Sequence, residues 1–159
     1  MEWRRRAGRP TSLHSSKARR TSPTHAEGMT TNAPHTGIWP LIPYADKKAG
    51  IRFLVEAFGF EESLIVPGDD GGIVHAELRW PNGGGIMIGT CDTGNPFAKP
   101  KGSGAAYVVT GEPDALFERA VAAGAEVLRK PQDQDYGSRE FAVRDPEGNT
   151  WSFGTYAGS

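Results

Sequence analysis

The sequence has one cysteine, no long apolar run and a modest share of apolar residues, and each shortage excludes a class of protein. Cys91 is the only cysteine among 159 residues, so no intrachain disulfide can form and a reducing, cytoplasmic location is expected. No run approaches the roughly 18 apolar residues of a membrane span, and the amino terminus lacks the apolar core of a secretory signal. We therefore expect no membrane partner. Hydrophobic residues make up 37% of the chain, whereas 21 Gly and 12 Pro predict many turns.

Charge is unevenly distributed along the chain. Residues 1–28 contain seven basic and two acidic side chains, which gives a net charge of about +5. This leaves 11 of the 18 basic and 17 of the 19 acidic residues for positions 29–159, a net charge of about −6. Because the part of the chain that can fold is acidic, nucleic acid is not expected as a partner.

Residues 1–36 are rich in Arg, Ser, Thr and Pro and nearly devoid of aliphatic side chains. Such a segment cannot bury enough apolar surface to offset its ordering entropy, so we predict a disordered basic tail at 1–36. Met29 precedes a plausible short leader into the first strand. Three explanations of residues 1–28 stay open: a start codon assigned too early, a functional basic arm, or an Arg/Ser-rich organelle-targeting segment.

The rest of the chain contains an internal repeat with a period of 65 residues. Residues 79–90 (RWPNGGGIMIGT) align with residues 144–155 (RDPEGNTWSFGT) without a gap. Ten identities occur over the 35 positions that begin at Glu56, against about two or three expected by chance, which indicates a duplicated structural unit. Residues that are 65 positions apart are called twins below.

Each half of the repeat predicts the order β-α-β-β-β. Asp46 is expected to cap a helix that Gly59 ends, and Pro113 to open one that Gly124 ends. The second helix is expected to bury Leu116, Phe117, Ala120 and Val121. Strands are predicted at 38–44, 61–67, 73–80, 85–89, 105–110, 126–130, 139–145 and 150–155. The domains are therefore a first module at 37–91, a linker at 92–103 and a second module at 104–159.

Several local motifs accompany this repeated order. Ala-Gly-Ala-Glu at 123–126 ends a helix, Tyr-Gly follows at 136–137, and Arg-Asp-Pro-Glu-Gly-Asn-Thr-Trp fills 144–151. Together they resemble the vicinal oxygen chelate superfamily, which includes glyoxalase I, extradiol dioxygenases and bleomycin-resistance proteins, over about 38–156. The resemblance implies an α+β fold, with two tandem βαβββ modules forming a half-open curved mixed sheet and helices on its convex face. It also implies a homodimer in which the partner completes each cleft.

In the metal-dependent members of that superfamily, His, Gln or Glu side chains on the first and last strand of each module surround a divalent ion. The corresponding positions of this chain, counted from the acidic residue of each turn or helix start, hold Trp39, Met87, Gly104 or Ala105, and Ser152. Thioether and hydroxyl groups cannot replace imidazole and carboxylate for such an ion. We therefore predict no cofactor and no metal at the usual site.

His75 lies on the predicted strand IVHAELR at 73–79, where side chains alternate between two faces. Val74, Ala76 and Leu78 are expected to pack under the helices, which leaves His75, Glu77 and Arg79 on the cupped face. Three interpretations stay open: ion pairs that solvate the sheet, a polar stripe that contacts a ligand, or a metal held by His75 and Glu77 with a further ligand from a second chain.

The aromatic residues indicate a small-molecule cleft. Trp151 and Phe153 alternate with Ser152 and are expected in the core, whereas Trp39 faces the cup. No nucleophile and base stand close in sequence, so the catalytic residues, if any, stay unknown. The predicted ligand-binding residues are Trp39, His75, Glu77, Arg79, Met87, Tyr107 and Ser152.

Three functions compete on this basis. The first is a metal-free small-molecule-binding protein, similar to the bleomycin-resistance branch, that sequesters a drug or metabolite, often a planar cation, in an acidic cleft. The second is a lyase, isomerase or dioxygenase of the glyoxalase or extradiol type that uses a divalent metal ion through His75 and Glu77. The third is a regulatory or scaffolding protein that carries the fold without a ligand.

Overall fold

The computed structural model describes residues 37–91 and 93–159, so the tail predicted at 1–36 lies outside the described residues. The described elements follow the predicted order with two β-α-β-β-β units. In chain order they are β1 (Leu41–Tyr44), α1 (Lys47–Phe53), a π-helical turn (Leu54–Phe58), β2 (Glu61–Pro67), β3 (Ile73–Arg79), β4 (Gly85–Thr90), β5 (Ala105–Val109), α2 (Pro113–Ala122), β6 (Glu126–Asp133), β7 (Arg139–Arg144) and β8 (Thr150–Gly154).

The eight strands form two four-stranded mixed sheets. The first has the order β1-β4-β3-β2 and the second the order β5-β8-β7-β6. In each sheet the first strand pairs parallel to the last, and the other pairs are antiparallel. This arrangement confirms the predicted α+β fold of two tandem βαβββ modules.

The helix boundaries follow from local capping. The Asp46 side chain accepts a hydrogen bond from the Ala49 amide and starts α1, and Gly59 ends the helical segment at a φ of 85°. The segment was predicted as one regular helix, but its last five residues form a π turn, in which the Gly59 amide donates to the carbonyls of both Leu54 and Val55 at 3.1 Å. None of the helices in the described ranges has the length and apolar character needed to cross a membrane.

Strand β1 is shorter than predicted, because it begins at Leu41 instead of Ile38. Pro40 has no amide hydrogen to give, and it enters the sheet only as an acceptor from the Met87 amide at 2.9 Å. The strand lies at the edge of its sheet, where the prolines of this segment were expected to place it.

The two modules share one apolar core. Phe58, at the end of the π turn, packs on Trp151 and Phe153 of the second module at ring-centroid distances of 5.4 and 4.8 Å. Trp151 and Phe153 are fully buried, which confirms their predicted core position. The helix of one module therefore stabilises the sheet of the other.

Two side chains predicted for the core are exposed instead. Val74 is 65% exposed, because it lies at the start of β3 beside Lys47, whose ammonium group donates to the carbonyls of Ile73 and Val74. Val121 is 42% exposed, near the carboxyl end of α2, whereas Leu116 and Ala120 are buried. Both valines lie near the ends of their elements. The apolar sequence pattern extends to these positions, but no neighbouring element covers the side chains there.

A polar cluster joins the modules where the end of β1 meets the turn between β7 and β8. The buried Asp145 carboxylate accepts hydrogen bonds from Tyr44 Oη at 2.5 Å, Asn149 Nδ2 at 3.1 Å and Trp151 Nε1 at 3.1 Å. Glu147 accepts from the amides of Ala45 and Asp46, each at 2.7 Å. We call Tyr44, Asp145, Glu147 and Asn149 the Asp145 clamp. Burial, with the adjacent Asp145 charge, raises the pKa of Tyr44 far above its usual range, so its hydroxyl stays a donor.

Candidate functional site

The strand register groups the predicted site residues into two sheet faces. In the first module Leu41 lies opposite Met87, Met87 opposite Glu77, and Glu77 opposite Leu64. Directly opposed residues share a face, and His75 follows on the same face because it is two residues from Glu77. We call Leu41, Leu64, His75, Glu77 and Met87 the first face.

The polar pair of the first face is His75 and Glu77. His75 Nε2 lies 3.1 Å from Glu77 Oε1, and the two side chains are 36% and 25% exposed. Leu64 lies beside Glu77 and Leu41 lies one strand beyond Met87, and each leucine is 44% exposed. The first face thus presents one half-buried polar pair within accessible apolar surface.

Trp39 and Arg79 extend this face toward the β3–β4 turn. Arg79 lies opposite Gly85, and a Cβ atom at Gly85 would lie only 2.6 Å from Cζ3 of the Trp39 ring. The indole therefore occupies the space that a side chain at residue 85 would need, and Arg79 extends into solvent beside it.

The second module forms the corresponding face with Tyr107, Ser152 and Ala142, which lie opposite one another in β5, β8 and β7. Tyr107 is 43% exposed. A Cβ atom at Gly154 would lie 2.5 Å from Tyr107 Oη and 2.6 Å from Glu140 Cγ, so the missing side chain at residue 154 makes room for both groups. We call Tyr107, Arg129, Glu140, Ala142 and Ser152 the second face.

Glu140 is a candidate site residue that sequence reasoning missed. It is only 5% exposed, and its Oε1 atom accepts hydrogen bonds from Tyr136 Oη at 2.9 Å and Tyr107 Oη at 3.3 Å. Arg129 Nη2 binds its other oxygen at 3.0 Å. The hydrogen bond to Glu140 raises the pKa of Tyr136, because it stabilises the protonated phenol.

The internal repeat carried a signal that would have found Glu140. Its twin is His75, and the twin of Ala142 is Glu77. Because His75 lies on the cupped face of β3, the repeat predicts that residue 140 lies on the same face of β7, although the twin of Glu77 on that face is the apolar Ala142.

The structure places the predicted site residues in two groups. Trp39, Arg79 and the polar residues of the first face lie in one sheet, and Tyr107 and Ser152 lie in the other. Residues 38–43 face residues 104–109: a Cβ atom at Gly104 would lie 2.9 Å from Ile42 Cγ2 and from Pro43 Cδ, and Ile38 and Pro40 line one cavity together with Tyr107 and Val109. We call this boundary between the two sheets the seam.

This architecture can be compared with known proteins. The family model of the Glyoxalase/Bleomycin resistance protein/Dioxygenase superfamily matches residues 33–153. The chain belongs to this superfamily. Uncharacterized proteins of Mycobacterium bovis and Mycobacterium tuberculosis are each 36% identical to it over 124 residues, which covers 72% of this chain and 80% and 71% of theirs.

Solved structures of the superfamily share the fold. TioX from Micromonospora sp. ML1 is 32% identical, with a TM-score of 0.60 over 74% of this chain and 98% of that one. A superfamily member from Sphaerobacter thermophilus has the same TM-score at 18% identity, over 75% of this chain and 97% of that one. At 18% identity the second likeness concerns the fold alone.

The residues at the superfamily's usual metal positions do not fit a divalent ion. Trp39 and Met87 of the first module, and Gly104 or Ala105 and Ser152 of the second, provide no imidazole or carboxylate. Within 37–91 and 93–159, the structure places no group of three or more His, Cys, Asp or Glu side chains where they could hold a metal. His75 and Glu77 are two donors at most, which is fewer than catalytic metal sites use.

Proposed function

We propose that the protein binds a small organic molecule on its two sheet faces without a metal ion. The donor set at the usual ligand positions supports this most directly, because it offers indole, thioether and hydroxyl groups instead of imidazole and carboxylate. The same faces carry exposed apolar and aromatic surface at Leu41, Leu64 and Tyr107. Such surface with a few polar groups is typical of small-molecule sites.

The charges near these faces favour a planar ligand that is neutral or positive. Residues 29–159 carry a net charge of about −6, and Glu77 and Glu140 lie on the two faces. An anionic ligand would meet this field unfavourably, whereas an aromatic cation would gain from the field and from stacking on Tyr107 or Trp39.

We further infer that the protein acts as a homodimer in a reducing, cytoplasmic compartment. The resemblance to superfamily members in which a second chain completes each cleft supports the proposed dimer. The dimer is also supported by the apolar side chains that the single chain leaves accessible on its faces. The compartment follows from the single cysteine.

A metal-dependent lyase, isomerase or dioxygenase is the second candidate. The contact of 3.1 Å between His75 Nε2 and Glu77 Oε1 favours it, since a second chain could add the donors that this pair lacks. This function requires that His75→Ala remove a metal-dependent activity, whereas the metal-free function predicts no such activity to remove.

The metal-free site can be tested by fluorescence titration of the full chain with berberine, a planar aromatic cation. Truncation of a stacking aromatic ring should weaken binding by about tenfold, so we expect that loss in Trp39→Ala and in Tyr107→Ala. Phe97→Ala is the matched control, because Phe97 is 77% exposed and lies on neither face. Equal affinity in all four proteins would contradict a site on these faces.

A further inference from the structure

A cavity lies at the end of the seam opposite the Asp145 clamp. Its volume is about 420 Å³, which is within the range of small-molecule pockets. The β3–β4 turn, the segment before β1 and the outer edge of β5 enclose it. The residues that line it include Ile38, Phe60, Trp80, Gly84, Tyr107 and Val109.

The internal repeat explains why this space is empty of side chains. Trp80 is the twin of Asp145 and Gly84 is the twin of Asn149. The two turns have the same backbone bonds, since the amide of residue 80 donates to carbonyl 84 at 3.1 Å and the amide of residue 145 donates to carbonyl 149 at 3.0 Å. In the second module the Asn149 side chain fills the end of the seam and binds the Gly104 amide. In the first module Gly84 has no side chain, and the corresponding space stays open.

The walls of the cavity are apolar and aromatic. Phe60 and Trp80 lie 5.2 Å apart between ring centroids and form one wall. The described residues that line the cavity carry no charged side chain. A charged ligand would lose its hydration there without an ionic partner, so the chemistry selects an uncharged ring system.

The edge of β5 adds directional polar groups. The Val109 carbonyl accepts a hydrogen bond from Trp80 Nε1 at 2.8 Å, whereas the amide of the next residue, Thr110, donates to Gly154 in β8. A residue in a strand points its amide and carbonyl to the same side, so the Val109 amide also faces the seam. The backbone amide of Tyr107, two residues earlier, points to the same side. Edge amides of this kind are available to a ligand that carries an acceptor.

We propose that this cavity is a second binding site, which takes an uncharged aromatic molecule with a carbonyl group. The rings of Phe60 and Trp80 hold the aromatic part, and the outward amides of β5 donate to the carbonyl. The site depends on neither the polar pairs of the two faces nor a metal, so it goes beyond the function proposed above.

The full-length chain is titrated with prodan, a neutral naphthalene ketone whose emission moves to shorter wavelength in apolar surroundings. Saturable binding with a blue-shifted emission is expected. Gly84→Asn restores the side chain of the twin position, and a Cβ atom at Gly84 meets nothing within 4 Å. Asn also tolerates the positive φ of 83° better than most residues do. This substitution should weaken prodan binding at least tenfold.

Gly137→Asn is the matched control, with a φ of 85° and nothing within 4 Å of its Cβ position, in a turn that does not line the cavity. It should bind prodan as the unmodified chain does. Ile38→Glu supplies a second test at a position 82% exposed, where folding is not at stake, and the added charge should also weaken binding. Absence of saturable binding, or equal affinity in Gly84→Asn and Ile38→Glu, would overturn the proposal.

The outcome is separable from that of the face site. Prodan binding lost in Gly84→Asn while berberine binding persists supports two sites. Loss of berberine binding in Trp39→Ala, at a residue that does not line the cavity, concerns the face site. The cavity proposal fails if prodan binding is insensitive to Gly84→Asn, whatever berberine does.

Discussion

In each module a turn connects the last two strands. The two turns have the same backbone hydrogen bond, but one binds the other module through side chains and the other borders a cavity. The turn within 144–155 contains the buried Asp145 carboxylate, which accepts hydrogen bonds from three side chains. A second carboxylate of this turn, Glu147, binds amides at the start of the first helix. The twin turn within 79–90 has Trp80 in place of Asp145 and glycine in place of Asn149, and it borders an open cavity. The duplicated modules thus keep the same strand geometry and differ in their side chains. At one end of the seam the Asp145 clamp joins the modules, and at the other end the cavity stays accessible.

The modules also differ at the start of their third strands. Arg139 donates two hydrogen bonds to Asp114, at 2.6 and 2.7 Å, and one to Asp133. Its twin is the exposed Val74. The second module therefore has ionic contacts at the position where the first presents an apolar side chain to solvent.

The largest effect should come from removing the centre of the Asp145 clamp. Asp145→Ala removes the acceptor of the Tyr44 hydroxyl and of the Trp151 indole N–H in the core, whereas Asn149 keeps its bonds to Pro43 and Gly104. The loss should cost about 3 kcal/mol or more of unfolding free energy. Urea denaturation followed by circular dichroism measures the loss. Asp135→Ala, in an exposed turn, is the control. A loss below about 1 kcal/mol for Asp145→Ala would mean that the clamp does not fasten the modules.

A smaller loss is expected for Tyr44→Phe, which removes one hydroxyl from the clamp but keeps the ring. Asp145 retains its bonds to Asn149 and Trp151, so the substitution should cost about 1–2 kcal/mol in the same denaturation experiment. Tyr156→Phe, at a tyrosine that is 45% exposed, should change stability little. An equal loss of unfolding free energy in Tyr44→Phe and Tyr156→Phe would mean that the hydrogen bond from Tyr44 to Asp145 does not stabilise the clamp.

Next in size is the contact of Glu147 with the start of the first helix. Its carboxylate binds two exposed amides, so Glu147→Ala should cost about 0.5–1 kcal/mol. Asn82→Ala is the control at the twin position, where the structure assigns no such hydrogen bond among the described residues. If both substitutions destabilise the chain equally, the contrast between the two turns is wrong.

The smallest effect concerns acid stability through Asp114. The hydrogen bond from Arg139 lowers the pKa of Asp114 below its ordinary value of 3.8. A depressed folded-state pKa contributes stability that is present above pH 3.8 and is lost as the pH falls through the folded value. Asp114→Asn should therefore be less stable than the unmodified chain at neutral pH, and the difference should vanish in acid. A difference that persists unchanged to low pH would contradict the ionic role of this contact.

The fold was largely predictable, because apolar periodicity and glycine position set the elements. Gly59 and Gly124 ended the helical segments as expected, and the repeat fixed the order of strands. The π turn was not predictable, since it buries Leu54, Ala57 and Phe58 much as a regular helix would. Val74 also escaped prediction, because alternation gives the face of a strand residue but not whether a helix covers it.

The site was predictable residue by residue but not as a network. The positions of Met87 and Ser152 on strand faces follow from counting, and the registers bear out that placement, whereas Trp39 lies before β1 instead of within it. Whether these residues bind a ligand stays a prediction. The contacts of Glu140 with tyrosines at 107 and 136 join residues that are distant in sequence or separated by a turn, so only the folded sheet brings them together.

The measurement that tests the central claim most directly is a thermal melt of the full-length, metal-stripped chain with Mn²⁺, Fe²⁺, Ni²⁺ or Zn²⁺. An ion bound by the native state at about 100 times its dissociation constant would add roughly 2.7 kcal/mol, or several degrees in a domain of this size. We predict no ion-specific rise. A rise with one ion that disappears in His75→Ala would contradict the metal-free site and favour the metal-dependent enzyme.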